Sequence, residues 1–191
     1  MLYPMLPALS AFRTVTRFSL HSLSVHFFNE TDIQAIFGHF FPTVKELNLE
    51  EPCAAAGSLH KFICHFAVLD HLTISDPEWE LGSESLDEVE TIPPLRGTLH
   101  LRGLYADSEE FLDLLARTPA AFQDILFVGC QLPSEPTNRL LRHLSRSLKS
   151  FSASTWFNGE LKFKPARLPR ITDDKLLQAI AFQASTFPLV R

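Results

Sequence analysis

The sequence predicts an α/β solenoid of about six units with incomplete ends, its parallel strands lining a concave face and its helices covering the convex one. The first observation is the stretch Phe122 to Leu132, FQDILFVGCQL. It fits the frame L-x-x-L-x-L-x-x-C-x-L, with aromatics at two of the aliphatic positions. Phe122, Ile125, Phe127 and Leu132 then point into a shared core, and Cys130 takes the position where a small, weakly polar group fits under a turn. The second observation is that the frame returns. Aligned on their second apolar position, VTRFSL, VKELNL, LDHLTI, GTLHL, FQDILF and LKSFSA place anchors at Phe18, Leu47, Leu72, Leu99, Ile125 and Phe151. Successive anchors lie 29, 25, 27, 26 and 26 residues apart. The repeat unit with this frame, the leucine-rich repeat, runs to roughly 20–29 residues. The third observation is that the intervening stretches carry helical rather than strand periodicity.

Taken in order, Thr31-Asp32 is placed to cap a helix through Ile33, Ile36, Phe37 and Phe40, spaced near a helical period. Residues 54–66 repeat the pattern with Leu59, Phe62, Ile63 and Phe66. Asp107, Ser108, Glu109 and Glu110 set capping and acidic groups ahead of Phe111, Leu114 and Leu115, and Pro119 ends that helix. Pro136-Thr137-Asn138 leads into Leu140, Leu141 and Leu144. Two places depart from the frame. The fourth unit carries Arg96 where its first apolar residue belongs. Before it, residues 76–94 hold seven acids and little apolar periodicity. Most of that stretch reads as an exposed loop replacing a helix, either a solvated insertion or an acidic contact for a basic partner. The second departure is the basic stretch 155–170, which fits no repeat. Thr172-Asp173-Asp174 then caps an amphipathic helix through Leu176, Leu177, Ile180 and Ala181, which either covers the last unit or forms a loose tail. Residues 1–158 thus read as the repeat domain, and 159–191 as a basic linker and C-terminal helix.

The 191 residues suffice for one domain with a sizeable core, and an apolar content of 46% speaks against wholesale disorder. A net charge of -5 points to neither nucleic acid nor a membrane surface as main partner. Residues 1–135 hold 19 acids and 7 Lys/Arg, whereas 136–191 hold 3 and 10. Three cysteines, Cys53, Cys64 and Cys130, fit a reducing compartment, cytoplasm or nucleus, rather than a disulfide framework. No apolar run reaches the ~18 residues of a membrane helix. The opening MLYPMLPALSAF lacks a basic leader and holds two prolines, so it does not read as a signal peptide. Its Leu2, Leu6, Leu9 and Phe12 precede an uncapped strand, so this edge is expected to be adhesive.

The runs VKELNLEEPCAAAGSLHKFICHFAVLDHLTISDPEW and GTLHLRGLYADSEEFLDLLARTPAAFQDILFVGCQL resemble the leucine-rich region of fungal F-box proteins, over roughly residues 12–158. In that family an N-terminal F-box docks on the Skp-type adaptor of a cullin–RING ubiquitin ligase, and the repeats hold the substrate. An F-box spans about 45 residues and usually opens LPxE. Here the first repeat begins by residue 15, and Pro7 in MLPALS is no such motif. The resemblance therefore implies a substrate-binding region, with a Skp-type adaptor as partner only where an F-box precedes it.

If Phe18 and Leu20 face the core, Arg17, Ser19 and His21 face out, because side chains alternate along a strand. The same register exposes Glu46, Asn48 and Glu50; His71, Thr73 and Ser75; Thr98, His100 and Arg102; Asp124, Leu126 and Val128; and Ser150, Ser152 and Ser154. This mixed polar surface suits a protein or peptide partner. Its best candidates for contact are Arg17, His21, Glu46, Asn48, His71, Thr73, His100, Arg102, Asp124, Leu126 and Val128. Leu126 and Val128 form an apolar spot, a contact point or a seat for the C-terminal segment. No catalytic, metal or cofactor site is proposed by spacing. His60 and Cys64 share a helical face beside His65, but nothing fixes a third ligand, and G-x-S-x-G, Walker, G-x-G-x-x-G and H-E-x-x-H motifs are absent. Arg139, Arg142, Arg146 and Lys149 make a basic strip, a solvated helix face or a phosphate contact, without the interleaved aromatics of nucleic-acid readers. The expected function is non-catalytic recognition as the substrate-binding part of an F-box-like ubiquitin-ligase receptor. The alternative is a stand-alone repeat scaffold with no ubiquitin role.

Overall fold

The computed structural model describes residues 14–80 and 95–158. Its strands are β1 (Arg17–His21), β2 (Glu46–Glu50), β3 (Cys53–Ala54), β4 (His71–Ser75), β5 (Glu78–Trp79), β6 (Arg96–Arg102), β7 (Ala121–Pro133) and β8 (Ser150–Asn158). Six of them form one parallel sheet in the order β1-β2-β4-β6-β7-β8, so neighbours in the sheet follow one another along the chain. The short β3 and β5 pair separately, also in parallel. Parallel neighbours need crossovers, and four of the five carry a helix; between β4 and β6 the described residues hold only the short β5. The helices are α1 (Glu30–Phe37), α2 (Ala56–Cys64), α3 (Glu109–Arg117) and α4 (Ser134–Leu144). No helix among the described residues is long and apolar enough to cross a membrane.

Strand pairing sets Phe18, Leu47, Leu72, Leu99, Ile125 and Phe151 side by side, the six anchors of the sequence frame. Two residues further on, Leu20, Leu49, Ile74, Leu101, Phe127 and Ala153 form a second row. In the four inner strands both rows are essentially sealed from solvent. Each such aliphatic or aromatic side chain contributes about 1.5–3 kcal/mol by leaving water. Among the described residues the flanking β1 and β8 have a neighbour on one side only, and their Phe18, Leu20, Phe151 and Ala153 stay half-buried. Helices close over these rows. Phe18 stacks on Phe40 with ring centres 5.1 Å apart, and Phe37 meets Phe62 edge-on at 5.4 Å. Phe62 in turn meets Phe66 at 5.5 Å. At the other flank Phe127 packs edge-on against Phe151 at 5.7 Å.

Every sheet strand from β1 to β7 reaches a residue in the left-handed region at one equivalent position: Ser22, Glu51, Asp76, Gly103 and Gly129, with φ between 50° and 62°. Such φ values are uncommon outside glycine. Their recurrence marks a shared backbone turn. Its N–H donates forward to the next strand, from Ser22 to Glu50, Glu51 to Ser75, Asp76 to Arg102 and Gly103 to Val128, at 2.8–3.0 Å. Just past the last of these turns, the fully buried Cys130 points its thiol at the carbonyls of Leu101 and Val128, 3.4 Å from each.

Three sequence expectations need correction. The cap of α1 is Asn29, not Thr31-Asp32. Asn29 accepts from the Asp32 N–H, and Asp32 accepts from the Asn29 N–H, a closed capping box. The helix ends at Phe37, and Phe40 reaches the core from the turns beyond it. Within the acidic stretch, Glu78 and Trp79 pair with Cys53 and Ala54, and Trp79 packs on Phe111 at 5.2 Å. In the fourth unit the first core residue is Leu95, 2% exposed, and Arg96 points outward. At Gly97, with φ +76°, the register to β7 shifts: Gly97 faces Phe122 and Thr98 faces Asp124, which leaves Gln123 of β7 as the unpaired residue. A Cβ at Gly97 would stand 1.8 Å from the Asp70 carbonyl oxygen, so only glycine fits. Finally, β8 runs to Asn158, into the stretch read as lying outside the frame. The expectations for the N-terminal leucines, most of the acidic stretch and the C-terminal helix fall outside the described residues.

Candidate functional site

The open face of the sheet, opposite the helices, carries three residues from each strand in three lateral rows. The first row is Arg17, Glu46, His71, Thr98, Asp124 and Ser150. Ser19, Asn48, Thr73, His100, Leu126 and Ser152 form the second. His21, Glu50, Ser75, Arg102, Val128 and Ser154 form the third. None of these side chains is buried. All eleven candidates read from the sequence therefore share one surface. Strand alternation puts them there: the intervening residues are the core rows, so their neighbours have no choice of side.

At the β1–β2 flank the charges answer one another. Arg17 donates to Glu46 at 3.1 Å. That hydrogen bond holds the Glu46 carboxyl below its usual range and the guanidinium above its own. His21 lies 3.6 Å from Glu50 through one ring nitrogen and 3.6 Å from Glu51 through the other. Asn48 donates to Glu50 at 3.1 Å, leaving its own amide oxygen shielded and without a partner.

The β6–β7 region differs. Arg102 is exposed and has no carboxylate partner among the described residues. His100 is half-buried, and its Nε2 is shielded from solvent with no hydrogen-bond partner. Burial first, and Arg102 second, push this imidazole below its ordinary range, so it is neutral at pH 7. Leu126 and Val128, half-exposed, sit directly beside His100 and Arg102 in the register. Sequence reasoning found all four residues. It did not see that Arg102 stands alone while Arg17 is paired, because that depends on which carboxylates the neighbouring strands carry.

The His60–Cys64 pair is buried, with Sγ 3.6–3.8 Å from the imidazole nitrogens. Burial lowers His60 to about 4 and raises Cys64 to about 12. Both are neutral at pH 7, so the pair holds no thiolate and acts as core packing. No group of three or more His, Cys, Asp or Glu among the described residues is placed to hold a metal. The basic strip is broken by Arg139, which grips Asp113 with two bonds of 2.8 Å and lies within 4 Å of Glu109 and Glu135. Lys149 donates to Gln123 at 2.6 Å. No family model matches this chain, and no curated protein or solved structure is similar to it.

Proposed function

We propose that the chain is a leucine-rich-repeat solenoid serving as a non-catalytic protein-recognition scaffold, the substrate-holding part of an F-box-like ubiquitin-ligase receptor. One observation carries the recognition reading: three continuous rows of accessible, chemically mixed side chains cross six parallel strands on a scaffold that fixes their spacing. Strands about 4.8 Å apart present such rows as a rigid grid, which lowers the ordering cost of binding. The equivalent turns and the aligned anchors favour the repeat reading. Recognition then rests on shape and charge matching, and the ligase chemistry resides on other subunits. An F-box would lie outside this sequence.

The test is purification from native cells, with intact mass and co-purifying proteins measured together. A mass well above 21.6 kDa, an F-box segment in the excess and a bound Skp-type adaptor would support the receptor reading. A mass of 21.6 kDa without adaptor would replace it with the stand-alone scaffold. A photo-crosslinker at Thr73 tests recognition itself. A discrete protein adduct lost in His71→Glu, with an unchanged melting curve, is expected. Adducts indifferent to that substitution would remove the open face from the function.

A further inference from the structure

Resting on that reading, we propose that the β6–β7 part of the open face takes a protein segment presenting an apolar side chain beside a carboxylate. Leu126 and Val128 receive the apolar group, and Arg102 receives the acid.

The charge balance of the face selects this chemistry. Arg17 and His21 already face Glu46 and the Glu50–Glu51 pair, so the β1–β2 flank offers no net cation. Of the two arginines in the three rows, Arg17 is paired and Arg102 has no carboxylate partner among the described residues. The acids nearest to it are engaged or distant. Glu50 lies two strands away with His21 and Asn48. Asp76 leans over Gly103. Asp124 sits at the far end of β7, beyond Leu126. An incoming carboxylate therefore gains a charge-assisted bond that no group of the fold supplies. A basic segment meets Arg102 unopposed.

The second requirement is apolar. Val128 flanks Arg102, and Leu126 flanks His100, each about 4.8 Å across the strands. The serines beyond them, Ser152 and Ser154, give no apolar cover. A purely polar ligand would leave this pair wet, whereas an apolar side chain buries it. The third element is the half-buried His100 ring, which flanks Leu126 in the register. Apolar group and acid must therefore lie about 5 Å apart on the ligand, a spacing met by residues three or four apart on a helix.

A random peptide library displayed on phage, selected against the full chain, tests this. Enriched peptides are expected to pair Leu, Ile, Phe or Val with Asp or Glu. Replacing that acid by its amide in a synthetic enriched peptide should weaken binding about tenfold by fluorescence anisotropy. Arg102→Glu should weaken it about a hundredfold and, on reselection, turn the preference to Lys or Arg. Arg102→Glu and Leu126→Ser, both on the surface, are expected to keep the parent melting curve. Leu126→Ser provides a milder second probe without charge. Peptides that lose binding in His71→Glu but not in Arg102→Glu would overturn this site while leaving open-face recognition standing. No peptide sensitive to any open-face substitution would sink both. Competition by a synthetic peptide of residues 159–191, or self-association of the chain abolished by Arg102→Glu, would assign the patch to the chain itself and overturn the proposal.

Discussion

Ile125 and Leu126 are adjacent aliphatic residues on one strand, and they live under opposite rules. Ile125 is 2% exposed between Leu99 and Phe151, whereas Leu126 stands half-exposed between His100 and Ser152. The same holds along every sheet strand. One set of alternate residues is chosen by the core and tolerates little, and the other is held in position but left chemically free. The fold thus separates what keeps it folded from what it can present, at a resolution of one residue.

The sharpest way to break that comparison is Ile125→Asp against Leu126→Asp. An unpaired charge in the core should cost about 4 kcal/mol or more, a large share of the ~5–15 kcal/mol that stabilises a domain. Leu126→Asp should change stability by less than about 0.5 kcal/mol. Equal losses in urea unfolding would mean the face assignment is wrong. Next in size is the pH response of the core. His60 sits near 4 in the fold against 6.5 unfolded, so the unfolded chain takes the proton first. Its contribution is whole above pH 6.5 and falls as the pH drops toward 4, by about 3 kcal/mol in all. Parallel unfolding titrations of the parent and His60→Gln should diverge across that window. Coincident curves would count against a buried neutral imidazole.

Glycines sharpen the contrast further. Gly97→Ala forces both a left-handed backbone and a clash with the Asp70 carbonyl, for a loss of about 2 kcal/mol or more. Gly129→Ala meets nothing within 4 Å and should lose only the backbone preference, about 1 kcal/mol. The smallest effect belongs to the solvated Arg17–Glu46 pair: Arg17→Ala should leave the melting temperature unchanged within error. A measurable drop there would show that the open face also carries stability.

The period and the alternation were legible in the sequence because both are written in residue type. A strand buried on one side needs apolar groups at every second position, and VKELNL and LDHLTI show them plainly. The eleven outward candidates followed by elimination. Features set by backbone or by distant partners were not legible. Ser22, Glu51 and Asp76 are not residues that announce a left-handed turn, and only the aligned strands reveal the recurrence. Leu95 was missed because a fixed frame has no place for a core residue one step early, although Gly97 was there to signal an irregularity. Arg139 resembled a free cation because Asp113, its partner, lies on the preceding helix, 26 residues away.

The forward-donating turns have a consequence for how such a chain can change length. The turn N–H groups of Ser22, Glu51, Asp76 and Gly103 are each satisfied by the strand that follows, which offers the carbonyl that the preceding turn requires. Excising the stretch between two equivalent turns would rejoin a donor to an acceptor of the same kind, and duplicating that stretch would do likewise. The backbone does not distinguish a neighbour from a copy of it. Gain or loss of a whole period, about 26 residues, should therefore be a smaller perturbation than gain or loss of a single residue within a strand, which would turn its core row outward.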